Sequence, residues 1–305
     1  MLSFLLEDNS LKFIKLNLIF LSLIFSLSSC MSAKSGFSNV EIVSNGSPFK
    51  FEHYKKDKRF ELGDDFGFGL WFNQSLGENF QDWGATVSTE KVRLGKLALK
   101  FETREGFCGS DKNKHSDCKS GRNRHEFSSS LREKWVFDLN KEYWHSLSLY
   151  IPSEPDFDSK IETGLFQFHG KPNVAWKFHF NDIRGFYVTS YTDMWKGKTL
   201  QKPEQFLDKW NDVIIQVVHS TVPKGILNVW MNGKKVYEFK GITTRREGKP
   251  FFKFGIYNTA NPVGNPKFND GANFKNLWVY FDEIRFSKTC EGLKLNDLGY
   301  NCNKL

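Results

Sequence analysis

Beyond residue 48 no long stretch of this chain carries a helical apolar period. What recurs instead is short period-2 alternation, rich in Phe, Val, Ile, Tyr and Trp and broken by Gly, Asn, Asp and Pro. Strands are predicted near 97–103, 124–130, 143–151, 164–169, 174–180, 185–191, 212–219, 226–231, 234–239, 251–257 and 278–287. Asn232-Gly233 between two such runs is a two-residue hairpin signal, because a type I′ turn needs positive φ at both central residues. Many short strands without intervening helices predict an all-β chain, a single β-sandwich or barrel over roughly 50–305, with no internal repeat and no second domain. The composition agrees. Aromatics make up 16% of the 305 residues, Phe alone contributes 31, and 26% are charged, which excludes a disordered, collagen-like or multi-span membrane chain.

The N-terminus bears on compartment. Leu16–Leu27 is almost wholly apolar, with Lys12 and Lys15 before it and Ser28, Ser29 and Cys30 after it. A basic flank, an apolar run too short to span a bilayer and a small-residue junction describe a secretory signal over 1–29. Leu27-Ser28-Ser29-Cys30 also resembles a bacterial lipobox, with lipidation expected at Cys30; the alternative is an ordinary cleaved signal with an incidental Cys. Residues 30–48 read as a flexible tether and 49–305 as the folded body. This predicts an exported protein held at the bacterial outer membrane, on its periplasmic or outer side, by a lipid anchor alone. Four cysteines remain, and in an oxidising compartment the close pairs Cys108–Cys118 and Cys290–Cys302 are the expected disulfides. Each closes a loop of about 11 residues, worth roughly 3 kcal/mol in the chain-entropy model. Neither pair has the CxxC spacing of a zinc site.

Strand parity then sorts chemistry from packing. Phe166 and Phe168 share one face of their strand, Gln167 and His169 the other. Phe252, Phe254 and Ile256 oppose Lys253, Gly255 and Tyr257. Arg122, Arg124 and Glu126 line up against Phe127, and Trp176, Phe178 and Phe180 oppose Lys177 and His179. A lone His or Gln on an outer face is ordinarily just solvated, and a Tyr beside Gly and Lys is ordinarily packing. Together they put an Arg, an amide, a His and a Tyr on one surface. That inventory suits β-elimination on a uronic acid, which needs the carboxylate neutralised, a base for the α-proton and an acid for the leaving oxygen.

The segments GRNRHEF (121–127), FQFHG (166–170) and FFKFGIYN (251–258), in this order, resemble the jelly-roll polysaccharide lyases, the group of heparin lyase type I and glucuronan lyase, with alginate lyases more distant. The resemblance covers roughly 95–290 and implies a β-jelly-roll sandwich of two antiparallel sheets with a concave substrate groove. It implies that Arg124 and Gln167 bind the uronate carboxylate, and that His169 neutralises it or acts as base. Tyr257 would serve as acid, and as base too in a syn elimination. Lys253 would lie in the groove and Glu126 would orient Arg124. In the glucuronan-lyase branch the catalytic histidine comes from an earlier strand, so His125 is a second candidate, although parity turns it toward the core with Phe127. Phe251 and Phe127 depart from the alginate-lyase pattern, which makes alginate the less favoured substrate.

Basic surroundings fit a polyanion, as does the net charge of +8. Residues 104–134 hold eight bases and five acids, and Arg245, Arg246 and Lys249 form another cluster. Arg122, Lys177, His179, Arg245 and Arg246 are therefore further substrate-binding candidates, and the loop 258–276 is expected at the groove's rim. No cofactor is expected; a structural calcium on backbone carbonyls has no sequence signature and stays an option. A monomer acting on an anionic polysaccharide is expected. The rival is a non-catalytic carbohydrate-binding sandwich. A retaining glycoside hydrolase would need suitably spaced paired acids, which Asp64-Asp65 and Asp282-Glu283 do not supply. Export and the lack of a motif disfavour nucleic acid.

Overall fold

The computed structural model describes residues 45–47, 49, 60–62, 64–75, 80–110, 116–129, 137–158, 161–170, 174–190, 197–245, 250–260 and 274–305, all within one compact unit, Val40–Leu305. Cys30, most of the tether, Arg246, Lys249 and residues 261–273 lie outside the described residues.

Among the described residues, sixteen strands build two sheets. The first joins, in spatial order, β1 (Phe60–Glu61), β3 (Trp71–Gln74), β6 (Arg122–Ser128), β15 (Phe251–Ala260), β8 (Ile161–His169), β9 (Val174–Asn181), β10 (Gly185–Ser190) and β11 (Lys198–Gln201). The second runs β14 (Lys234–Gly241), β13 (Gly225–Met231), β12 (Trp210–Val218), β7 (Glu142–Tyr150), β16 (Leu277–Ser287), β5 (Ala98–Thr103) and β4 (Ala85–Ser88), with β2 (Gly67–Phe68) against β16. Pairing is antiparallel except between β2 and β16. Each of the eleven predicted strands is present within a few residues of its expected bounds. The four-residue or shorter β1–β4 and β11, and the one-turn helix α1 (Pro203–Phe206), are too brief to show a period and were not foreseen. The Asn232-Gly233 turn has φ of 50° and 78°, the two positive values its sequence requires.

The inner faces meet in a phenylalanine core. Phe101 packs against Phe127 at 4.8 Å and Phe281 at 5.4 Å, and Phe254 lies 5.3 Å from Phe281, so rings from β5, β6, β15 and β16 bridge the two sheets. Phe166 and Phe178 stack at 4.2 Å. All six are buried, and each such ring contributes about 1.5–3 kcal/mol by leaving water. The packing fixes register, because a one-residue slip would turn every Phe outward.

The two outer faces have different fates. On the second sheet, Trp144, Ile214 and Trp230 lie under Leu293, Leu295 and Leu298 of the C-terminal tail, which is closed by a Cys290–Cys302 disulfide. Trp230 Nε1 donates to the carbonyl of Leu305, the last residue, at 3.0 Å. The other expected bridge, Cys108–Cys118, is also formed. The outer face of the first sheet carries the polar side chains that parity singled out.

Candidate active site

Register places those side chains side by side. Directly opposed residues share a face, and β15 is central: Tyr257 opposes Arg124, Gly255 opposes Glu126, and Lys253 opposes Ser128 on β6. On its other side Lys253 opposes Gln167, and Gln167 opposes Lys177 on β9. Gly255 has φ +136°, and a Cβ there would lie 2.3 Å from the His125 carbonyl oxygen, so only glycine lets the two strands meet. Leu165 bulges out of the β8–β9 pairing, and against β8 the extra residue lies on β15 at Gly255-Ile256, so Gly164 stands opposite both His179 and Tyr257.

Glu126 is the hub. Lys253 Nζ donates to Oε2 at 2.8 Å, Gln167 Nε2 donates to Oε1 at 2.6 Å, and Arg124 Nη1 lies 3.6 Å away. Burial alone would push this carboxyl up, but Lys253 and Arg124 overcome it and hold it below the usual carboxylate range. Burial pulls Lys253 below the ordinary ammonium value despite Glu126. The Oε1 of Gln167 is buried and has no hydrogen-bond partner among the described residues.

Arg124 is bound twice over by an acid that sequence reading missed. Its Nε and Nη2 donate to the two oxygens of Asp117 at 2.7 and 2.6 Å. Asp117 is fully buried, and the neighbouring Cys118 ties its loop to Cys108. Burial works against the guanidinium charge, yet Asp117 leaves its pKa raised. An acid beside a stapled cysteine, just before the R-x-E strand, was the available signal.

Tyr257 presents its ring to two cations: the Arg124 guanidinium 4.3 Å from the ring centroid and the Lys177 ammonium at 4.2 Å. Such contacts are worth about 0.5–2 kcal/mol each. Burial pushes the phenol up, while Arg124 and Arg122 pull it down, and the balance is raised. The Lys177 side chain reaches the ring by crossing Gly164, where a Cβ would lie 2.2 Å from its Cε. Burial, opposed by Glu162 and Glu126, lowers Lys177 to about 8.

His169 caps the cluster's end, its ring 5.0 Å from that of Phe251. Burial and then the Lys253 charge depress its pKa to about 4, so it is neutral at pH 7. His125 is not brought in. Its ring lies on the core side among Phe80, Trp83 and Phe107, and its Nδ1 is 2.7 Å from the Glu102 carbonyl oxygen. That is where parity with Phe127 put it, and the bulges leave β6 unturned. His179 is on the outer face but enclosed, stacked on Tyr187 at 4.8 Å with Nε2 2.8 Å from the Thr189 hydroxyl. Arg122 is half-buried, with Nε lacking a partner among the described residues. Arg245 is exposed in the connection from β14 to β15 and makes no ion pair with the cluster. No group of His, Cys, Asp and Glu among the described residues could hold a metal ion.

The arrangement offers a phenol between cations, a neutral imidazole, an amide and a buried ion network on one sheet face: acid–base chemistry beside positive charge. No curated protein sequence matches the chain. Among solved structures it is similar to an endo-β-1,4-glucuronan lyase from the fungus Trichoderma reesei, at 14% identity over 75% of this chain and 96% of that one, with a TM-score of 0.52. It is also similar to the family 7 alginate lyase AlgAT5 (13% identity, 69% of this chain, 84% of that one, TM-score 0.45). A third likeness is to an alginate lyase from Pseudomonas aeruginosa (16%, 66% and 85%, 0.43). The first of these shares the jelly-roll fold built up above. The sequence model described as "Polysaccharide lyase" matches residues 60–285, from β1 into β16 and across every strand of the site, and the chain belongs to that family.

Proposed function

We propose that this lyase cleaves a uronic-acid polysaccharide by β-elimination. The observation that carries the reading is Tyr257, whose ring is held by Arg124 and Lys177 on the same face as Gln167 and His169. In the reaction the C5–H and C4–O4 bonds break and a C4=C5 double bond forms. His169, neutral at pH 7, accepts the C5 proton; the arriving carboxylate raises its basicity. Tyr257 gives its proton to the departing O4. The cations stabilise the enediolate that develops on the carboxylate. Glucuronan is the first substrate to offer, since the neighbour with the same fold is described as acting on it. The chain is further proposed to be exported behind a 1–29 signal and anchored at the outer membrane by a lipid on Cys30, with the 49–305 domain acting as a monomer. Both disulfides support an oxidising compartment.

The test is absorbance in the unsaturated-uronate band with glucuronan, heparin, heparan sulfate, alginate and pectate. A rise on one of them is expected. Tyr257→Phe should abolish that rise while still binding the polymer; full activity in the variant would remove Tyr257 from the chemistry.

A further inference from the structure

Each cation on the site face can be asked what already neutralises it. Arg124 is held by both oxygens of Asp117 and approached by Glu126, and Lys253 is held by Glu126. These two arrive at the site with their counter-charges built in. Lys177 differs: it is buried, yet its ammonium makes no ion pair or hydrogen bond among the described residues, only the contact with the Tyr257 ring. Arg122, one step along β6 from Arg124 on the same face, likewise has no ion pair among the described residues, and its Nε has no hydrogen-bond partner there. A buried unpaired ammonium is costly unless something completes it.

Resting on the elimination reading above, we propose that Lys177, assisted by Arg122, is the seat of the substrate carboxylate, and that Arg124 is a positioning residue for Tyr257. The geometry demands a cation there. The carboxylate is bonded to C5, the carbon that loses its proton, so it must lie within a few ångströms of the acid–base pair. Lys177 Nζ stands 4.2 Å from the Tyr257 ring centroid. Gly164 is the device that admits it, because any side chain at that position would occupy the path of the Lys177 chain. Burial lowers its pKa to about 8 against the pull of Glu162 and Glu126, so the acids around it do not fully offset the loss of water.

The test is calorimetric binding in the Tyr257→Phe background, with a glucuronan hexasaccharide and its carboxyl-reduced counterpart. Lys177→Met, an unbranched side chain that lacks only the ammonium end, should weaken the uronate hexasaccharide tenfold or more and leave the reduced one unchanged. Gly164→Ala should act the same way with Lys177 intact, since its Cβ displaces the Lys177 chain rather than backbone. Undiminished uronate affinity in Lys177→Met, or equal loss on both ligands, would overturn the proposal and leave the elimination reading standing. If the protein with Lys177 intact binds no uronate hexasaccharide, the glucuronan reading fails and this proposal falls with it.

Discussion

His219 offers a direct measure of how hard this core resists a charge. Its imidazole is fully buried, stacked on Phe137 at 5.6 Å and edge-on to Phe168 at 5.2 Å, and neither ring nitrogen has a hydrogen-bond partner among the described residues. Burial lowers its pKa from 6.5 to about 3. In the unfolded chain the same imidazole takes a proton as pH falls through 6.5, while the folded one stays neutral. The unfolded state therefore binds more protons, and stability contributed by this site is present above pH 6.5 and lost below it. At pH 5 the loss is about 2 kcal/mol, against a total of about 5–15 kcal/mol for an ordinary domain. The perturbation is His219→Leu, an apolar side chain of similar volume. At pH 8 the variant should be no less stable than the parent, because it deletes two unsatisfied nitrogens. At pH 5 its advantage should grow by about 2 kcal/mol, since only the parent still has a site to charge. Urea denaturation followed by tryptophan fluorescence at pH 8, 7, 6 and 5 reads this difference, and comparing variant with parent cancels every other titrating group except those coupled to His219, as His145 is. A stability difference that stays constant from pH 8 to pH 5 would refute the reasoning.

Other sites give sharper yes-or-no outcomes. Glu126→Gln leaves Lys253 and Arg124 short of a buried counter-ion and should cost about 3–5 kcal/mol in denaturant unfolding, with turnover lost; a cost below 1 kcal/mol would mean that Glu126 is not the hub. His169→Ala should lower kcat by a hundredfold or more and His125→Ala should lower stability instead, read by steady-state kinetics and thermal melts side by side; the reverse pattern would return His125 to the chemistry. The double variant Cys108→Ser/Cys118→Ser should lower kcat/KM by loosening Asp117. Cys290→Ser/Cys302→Ser, on the opposite sheet, should lower the melting temperature and leave activity at low temperature intact, and identical effects from the two pairs would contradict this division of labour.

Strand periodicity made most of the fold legible, because alternation of Phe with Arg, Gln, Lys or Tyr is a direct record of which face is buried. The same parity put Arg124, Gln167, Lys253 and Tyr257 on one surface and correctly kept His125 off it. The hidden part begins where the chain leaves a regular ladder. The extra residue of β15 at Gly255-Ile256 changes which residues of β8 and β15 oppose each other, the Leu165 bulge does the same between β8 and β9, and no composition signals either. The tail that covers Trp144 and Trp230 is a run of short turns without a period, legible only through its two cysteines. Asp117 lies in a loop, where parity says nothing.

That last omission matters most, because parity reports position and function depends on partnership. From the sequence, Arg124 reads as the cation that meets the substrate; in the fold its Nε and Nη2 are already given to Asp117. Desolvation explains why. A guanidinium with most of its side chain out of water is costly without a carboxylate, and the chain supplies one and fixes it beside a disulfide. An enzyme for polyanions then needs cations of two kinds: some neutralised in advance, to hold the acid–base groups in place, and some left unpaired, so that the substrate's own carboxylate completes them. On the proposal made above, Arg124 and Lys253 are of the first kind and Lys177 is of the second. The distinction is set by which acids the loops deliver, and so it emerges only when the chain is folded.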